Sequence, residues 1–316
     1  MKAIGGYFEL ELSNYGHYHN DAIKLNTGRN CLEYILRARK YKKVYIPYYT
    51  CEVVLAPFQK LDVQYAFYHI DSNFEISDNI CLDNNEALLY TNYYGLKSNY
   101  VKTLASKYAN RLIIDNTQAF YAEPIRGIDT FYTCRKYFGV PDGAYLYTDC
   151  HTKENFPQDE SFERMTFLTK RIDRTAQEGY PDFRNNDKLL GTVGIRMMSK
   201  LTEALMQGID YRAKATKRTD NFNLLNKELR TSNLLKWDLA HGDVPLVYPY
   251  LVENGAKLRQ MLIDNQIFCA QYWPNVLEWC EPDMLEYRLA KNLVCLPIDQ
   301  RYGKEEMNII LKSIRM

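Results

Sequence analysis

The chain has 316 residues, 46% hydrophobic and 25% charged, a globular composition with length enough for one large domain and a smaller one. Its 40 basic and 39 acidic residues leave a net charge of +1, so no electrostatic footprint points to nucleic acid or an anionic membrane as partner. No stretch approaches the roughly 20 apolar residues of a membrane helix, and the N-terminus shows no apolar signal core, which makes the cytoplasm the expected location.

The eight cysteines are scattered singly, without a Cys-x-x-Cys pair, and no histidine stands at metal spacing. No metal site is expected, and the cysteines read as reduced residues of a core or pocket. Between residues 30 and 150, helical and short apolar segments alternate. Residues 32–39 suit a helix, 44–46 a strand ending at Pro47, 53–58 a helix and 63–68 a strand. Residues 87–91 read as a strand, 101–108 as a helix, 111–115 as a strand and 145–148 as another. This alternation predicts an α/β fold, a mostly parallel sheet with helices on both faces and ligands at the carboxyl ends of its strands. Residues 151–185 read as a polar connection with an ambiguous helix, and 200–229 as one long helix. Strands over 245–251, 267–272 and 290–296 and helices over 255–265 and 304–314 then predict a small α+β lobe. The expected division is a large domain over residues 1–205, its N-terminal stretch free to pack elsewhere, and a small C-terminal domain over 206–316.

One ordered set of residues carries chemistry. Leu112-Ile-Ile-Asp115 is an apolar strand ending on a carboxylate, Gln118 follows three residues on, and Lys136 lies between a short strand and the Pro141-Asp-Gly143 turn. An amine for a Schiff base, an acid for a ring nitrogen and a polar neighbour for a ring hydroxyl are what pyridoxal phosphate (PLP) chemistry needs. Thr133 can place a hydroxyl near a phosphate. Thr27, Gly28 and Arg29 precede the first helix, where free backbone N–H groups, a positive helix end and a guanidinium favour a phosphate. Each piece has a plainer reading as well: a surface lysine, a helix-capping carboxylate, a simple N-cap. Cys51 closes Pro47-Tyr-Tyr-Thr-Cys51, either against a cofactor face or as a buried structural thiol. The lack of Gly-x-Gly-x-x-Gly after the first strand speaks against a nicotinamide fold.

Together these segments resemble the DegT/DnrJ/StrS family of PLP-dependent aminotransferases, in the fold-type I superfamily. Asn26-Thr-Gly-Arg-Asn-Cys-Leu32 is similar to the family's Ser-Gly-Thr-x-Ala-Leu helix start, and Pro47-Tyr-Tyr-Thr-Cys51 to its Pro-x-x-Thr-aromatic segment. Asp115-Asn-Thr-Gln118 is similar to its Asp-Ala-Ala-Gln element, and Lys136 falls at its Schiff-base lysine. Arg196-Met-Met-Ser199, Arg218-Thr-Asp-Asn-Phe222 and Leu296-Pro-Ile-Asp-Gln-Arg-Tyr302 also look like its second half. The resemblance implies a large domain with a seven-stranded, mainly parallel sheet, a small C-terminal domain and a homodimer with sites at the subunit interface. It implies that Asp115, Gln118, Thr27, Gly28, Arg29, Cys51 and Thr133 hold PLP on Lys136. It also implies transfer of an amino group from an amino acid, usually glutamate, to a keto acceptor, often a nucleotide-linked sugar. The chain departs from the family pattern at Arg29, where a hydroxyl residue is usual, at Cys51, where an aromatic ring stacks, and at Gly194, where an asparagine is usual. These departures motivate the alternative of a PLP-fold binding or regulatory protein without transaminase activity. Tyr93, Tyr94 and residues 151–185 are expected to shape the substrate site.

Overall fold

A computed structural model of the chain describes residues 4–315. Strand β1 (Ile23–Leu25) leads into helix α1 (Gly28–Arg39), whose first turn is capped by the Thr27 side chain accepting the Asn30 N–H at 3.1 Å. β2 (Lys43–Pro47), α2 (Leu55–Leu61), β3 (Gln64–Tyr68), β4 (Glu86–Thr91), α3 (Ser98–Tyr108) and β5 (Leu112–Asp115) follow in alternation. β6 (Asp129–Thr133) and β7 (Ala144–Tyr147) complete a seven-stranded sheet in the order β1-β7-β6-β5-β4-β2-β3. The pairs among β3, β2, β4, β5 and β6 are parallel, while β7 runs antiparallel to both β6 and β1. β6 returns into β7 through residues 134–143, with no crossover helix, and a direct return of that kind makes an antiparallel pair. Lys136 lies in that return.

The sheet buries both faces by alternation. Leu88, Tyr90, Leu112, Ile114, Tyr132 and Tyr145 pack on one side. Leu89, Ile113, Phe131 and Leu146 pack on the other, against Leu32, Ile35 and Leu36 of α1. The mostly parallel α/β sheet expected from periodicity is therefore present. β1 is an element the sequence reading omits, since three residues are too short for a pattern.

Residues 151–185 are more ordered than expected. They contribute α4 (Thr166–Asp173) and most of α5 (Ala176–Thr192), which pack as a helical hairpin. Pro181 and Gly179 inside α5 mask its period, yet Thr175 accepts the Glu178 N–H at 3.2 Å in a Thr-x-x-Glu capping box. The single helix expected over 200–229 is two: α6 (Lys200–Gln207) and α7 (Tyr211–Leu229). The chain breaks at Gly208, and Asp210 starts the second helix by accepting the Ala213 N–H at 2.9 Å.

The C-terminal segment comprises β8 (Val247–Leu251), α8 (Gly255–Asp264), α9 (Val276–Trp279), α10 (Leu285–Asn292), β9 (Leu293–Pro297) and α11 (Lys304–Arg315). β8 and β9 pair antiparallel. The strand expected over 267–272 reduces to one bridge, Ala270 to Cys295, as the chain leaves that edge to bring Trp273 to the cleft described below. The strand expected from residue 290 begins at Leu293, because α10 runs to Asn292. Among the described residues no helix is long and apolar enough to cross a membrane, and no cluster of metal-ligating side chains occurs. All eight cysteines are free thiols; Cys81 is exposed, unlike the core or pocket setting expected for it.

Candidate active site

The carboxyl ends of β1, β2, β5 and β6 open on one cleft of about 830 Å³. Its walls include Thr27, Gly28 and Arg29 after β1, Thr50 and Cys51 after β2, Asp115 and Thr117 at the end of β5, and Thr133, Arg135 and Lys136 after β6. The parallel sheet sets these strand ends side by side, and residues far apart in sequence converge there. Asp115 shares its parity with Ile113 and so takes the α1 side of the sheet.

Lys136 donates from Nζ to Thr117 Oγ1 at 3.0 Å. Thr117 in turn gives its backbone N–H to Asp115 Oδ1 at 2.8 Å, an Asx turn that fixes both side chains at the strand end. Burial pulls the Lys136 amine below the usual lysine range, while Asp115 and the Cys51 thiol push it back up. Burial pushes the Asp115 carboxyl upward, opposed by Lys136 and by the hydrogen bond from Thr117. The Cys51 thiol is itself raised by burial.

Beside these groups stands the N-terminus of α1. Gly28 lies so close to Thr117 that an added Cβ would meet Thr117 Cγ2 at 3.1 Å and Phe131 Cδ2 at 3.6 Å. Arg29 donates from Nη1 to the Gly191 carbonyl at 3.3 Å, and its buried Nε has no partner among the described residues. The carbonyl of Gly194 takes hydrogen bonds from Asn26 Nδ2 at 3.1 Å and Asn30 Nδ2 at 2.8 Å, tying the segment after α5 to the start of α1.

Seven of the eight predicted site residues line this cleft: Lys136, Asp115, Thr27, Gly28, Arg29, Cys51 and Thr133. Gln118 does not. It is fully buried behind the wall, its Oε1 accepting the Tyr94 N–H at 3.0 Å and its carbonyl the Tyr137 hydroxyl at 2.7 Å. The Asx turn presents Thr117 to the cleft and turns the following residue inward. Tyr93 and Tyr94, expected to shape a substrate, are likewise fully buried and belong to the core. Phe183 and Arg184 of α5, within the 151–185 region expected to shape a substrate, do line the wall, while sequence reasoning missed Thr117, Arg135, Trp273, Asp187 and Lys188 there. Only the capping box of α5 could have pointed to that helix; nothing local places Trp273.

No family model and no curated protein matches the sequence. Solved structures do. A sugar aminotransferase from Micromonospora echinospora superposes with a TM-score of 0.63 at 13% identity, over 94% of this chain and 87% of its own. A DegT DnrJ EryC1 StrS aminotransferase from Brucella abortus gives 0.58 at 14% identity, over 93% and 85%. This chain has the fold of those aminotransferases. NtdA from Bacillus subtilis, with bound cofactor PMP, shares the aminotransferase fold too, with a TM-score of 0.63 at 13% identity over 93% of this chain and 73% of that one. At such identities the likeness concerns the fold, and the cleft residues rest on the geometry above.

Proposed function

We propose that the chain is a PLP-dependent aminotransferase. The observation that carries this reading is the amine of Lys136, desolvated and hydrogen-bonded in a cleft that also holds Asp115 and the N-terminus of α1. The residues present fit the cofactor. A side chain at position 28 would press on Thr117, so glycine keeps the helix end open to a phosphate, and the buried Arg29 Nε has no partner among the described residues. Thr27, Gly28, Arg29 and Thr133 would hold the phosphate, Cys51 would lie against the ring, and Asp115 would hold the proton at the ring nitrogen. Gln118 takes no part in this assignment.

When bound, pyridoxal phosphate supplies an aldehyde conjugated to an electron-accepting ring. Lys136 Nζ would bond the aldehyde at rest. Desolvation raises the neutral fraction of this amine, the form that acts as nucleophile and that takes a proton from a substrate Cα. Thr117 Oγ1 orients Nζ toward the cleft centre. Trp273 and α5 complete the wall of the cleft. The donor in this reading is an amino acid, with glutamate first, and the acceptor a keto compound. Sugar aminotransferases among the structural neighbours support a sugar as the acceptor class, and a nucleotide-linked sugar is the first to test. We further propose a homodimer, a cytoplasmic location, and a division into residues 1–205 and 206–316; that boundary falls within α6, just before the break at Gly208.

The test is trapping. Wild-type protein incubated with PLP, reduced with borohydride and digested should yield the pyridoxyl group on the peptide bearing Lys136; Lys136→Ala should yield none and lose the visible absorbance. Label spread over surface lysines would refute the assignment. Loss of that absorbance on adding glutamate to the wild type, with 2-oxoglutarate released, separates a transaminase from a protein that merely binds the cofactor.

A further inference from the structure

We propose that Arg135 is the carboxylate anchor for a substrate of this cleft, an inference that rests on the aminotransferase reading and goes beyond it. Arg135 precedes Lys136 in the chain and lines both the main cleft and an adjoining one of about 470 Å³ that also reaches the lysine. Its guanidinium is held on two sides. Nη1 donates to Asp187 Oδ1 of α5 at 2.6 Å, and the group lies over the Phe183 ring, 5.3 Å from its centroid. The remaining two nitrogens, Nε and Nη2, are buried and have no partner among the described residues. Their N–H bonds run parallel along one edge of the planar group, at the spacing of the two oxygens of a carboxylate. The protein uses this edge elsewhere: Arg39 grips both oxygens of Asp129 with Nε and Nη2, each at 2.9 Å.

A buried donor pair without acceptors is unfavourable, so a ligand offering two oxygens relieves that penalty on binding. The surrounding charge favours an anion as well. Arg29, Arg135, Lys136, Arg184 and Lys188 stand on the main wall against Asp115 and Asp187. The fork matches the paired oxygens of a carboxylate or a phosphate alike; the cofactor phosphate is assigned to the N-terminus of α1, which leaves the fork to a carboxylate. Either the amino donor or an acidic keto acceptor can supply that carboxylate.

Calorimetry with glutarate, an unreactive dicarboxylate, and glutaramide, its neutral analogue, tests the proposal on protein with and without PLP. Glutarate should bind the wild type, and Arg135→Gln should weaken it by at least about tenfold, the scale of one charge-assisted fork. Arg135→Lys, which keeps the charge but not the fork, should recover only part of the loss. Asp187→Asn, which leaves the fork in place and removes the competing anion, should bind glutarate more tightly. Cofactor uptake should be unchanged in all three variants. Glutarate binding that is unaffected in Arg135→Gln, restored in full by Arg135→Lys, or weakened in Asp187→Asn would overturn the proposal. So would an equal loss for glutaramide. A rise in KM with kcat held, confined to glutamate, assigns the anchor to the donor; confined to a keto acid, it assigns it to the acceptor. Wild-type protein that fails to take up PLP yet binds glutarate through Arg135 sinks the aminotransferase reading and leaves the anchor standing.

Discussion

Lys136 and Asp115 show how much one residue's setting depends on its neighbours. Burial lowers the lysine's proton affinity, and Asp115 and Cys51 partly restore it, so the amine sits below the 10.5 of a free lysine. The sign of the consequence is clear: the neutral, reactive form appears at a lower pH than on a surface lysine. We expect the rate of borohydride-trapped PLP uptake at Lys136 to rise with a midpoint below pH 10.5, and Asp115→Asn to move that midpoint lower still, because it removes a group that favours the charged amine. A midpoint at or above the free-lysine value would show that the amine is solvated. At this scale the lysine and the strand-end carboxylate were legible, since their order and the apolar run before Asp115 are local features. The roles of Thr117 and Arg135 were not. They are set by an Asx turn and by Asp187 in a helix that the sequence pattern hid.

Among the elements, the return from β6 to β7 matters most, because it carries the lysine. It is anchored at its far end. Buried Asp142 accepts the Ser199 N–H at 2.9 Å and the Ser199 hydroxyl at 2.6 Å, and also the Thr202 hydroxyl, pinning the loop to the start of α6. Gly143 then turns at φ +111°, where an added Cβ would meet Thr202 Cγ2 at 2.9 Å and Cys134 Sγ at 3.0 Å. Gly143→Ala therefore combines a disfavoured backbone angle with a clash. It should lower stability in urea unfolding by about 1–3 kcal/mol and slow cofactor trapping by displacing the lysine. Unchanged unfolding and trapping would mean that the turn can open at no cost. The Pro-Asp-Gly turn was visible in the sequence; its tie to α6 was not, because Ser199 and Thr202 signal only a helix cap until the fold sets them against Asp142.

Across the whole molecule, the C-terminal segment grips the lysine loop. Gln300 donates to the Tyr137 carbonyl at 2.6 Å, and the buried Arg218 guanidinium lies 4.5 Å from the Tyr137 ring centroid while donating to Gln300 and to the Leu246 carbonyl. One hydrophobic cluster runs from Leu112 under the sheet to Leu296 and Met307. The N-terminal stretch is tied in by His19, which donates from Nε2 to the Phe120 carbonyl at 2.7 Å and accepts at Nδ1 from the Tyr147 hydroxyl at 3.3 Å. Burial lowers its pKa from 6.5 to about 4. Between those values the unfolded chain binds the proton and the fold does not, so stability is full above pH 6.5, falls as pH drops, and levels off below about 4. The loss should be on the order of 3 kcal/mol, read by urea unfolding across that range. His19→Gln should flatten this part of the profile, and an unaltered slope would place the acid sensitivity elsewhere. The sequence by itself determined the alternation that makes a parallel sheet and the residues whose chemistry suits a cofactor, because periodicity and residue type are local properties. Only the tertiary structure decided that Gln118 turns inward, that Arg135 keeps two buried nitrogens without partners among the described residues, and that Trp273 and α5 wall the cleft. Those outcomes depend on which distant side chains satisfy each buried polar group, and no short-range pattern records that.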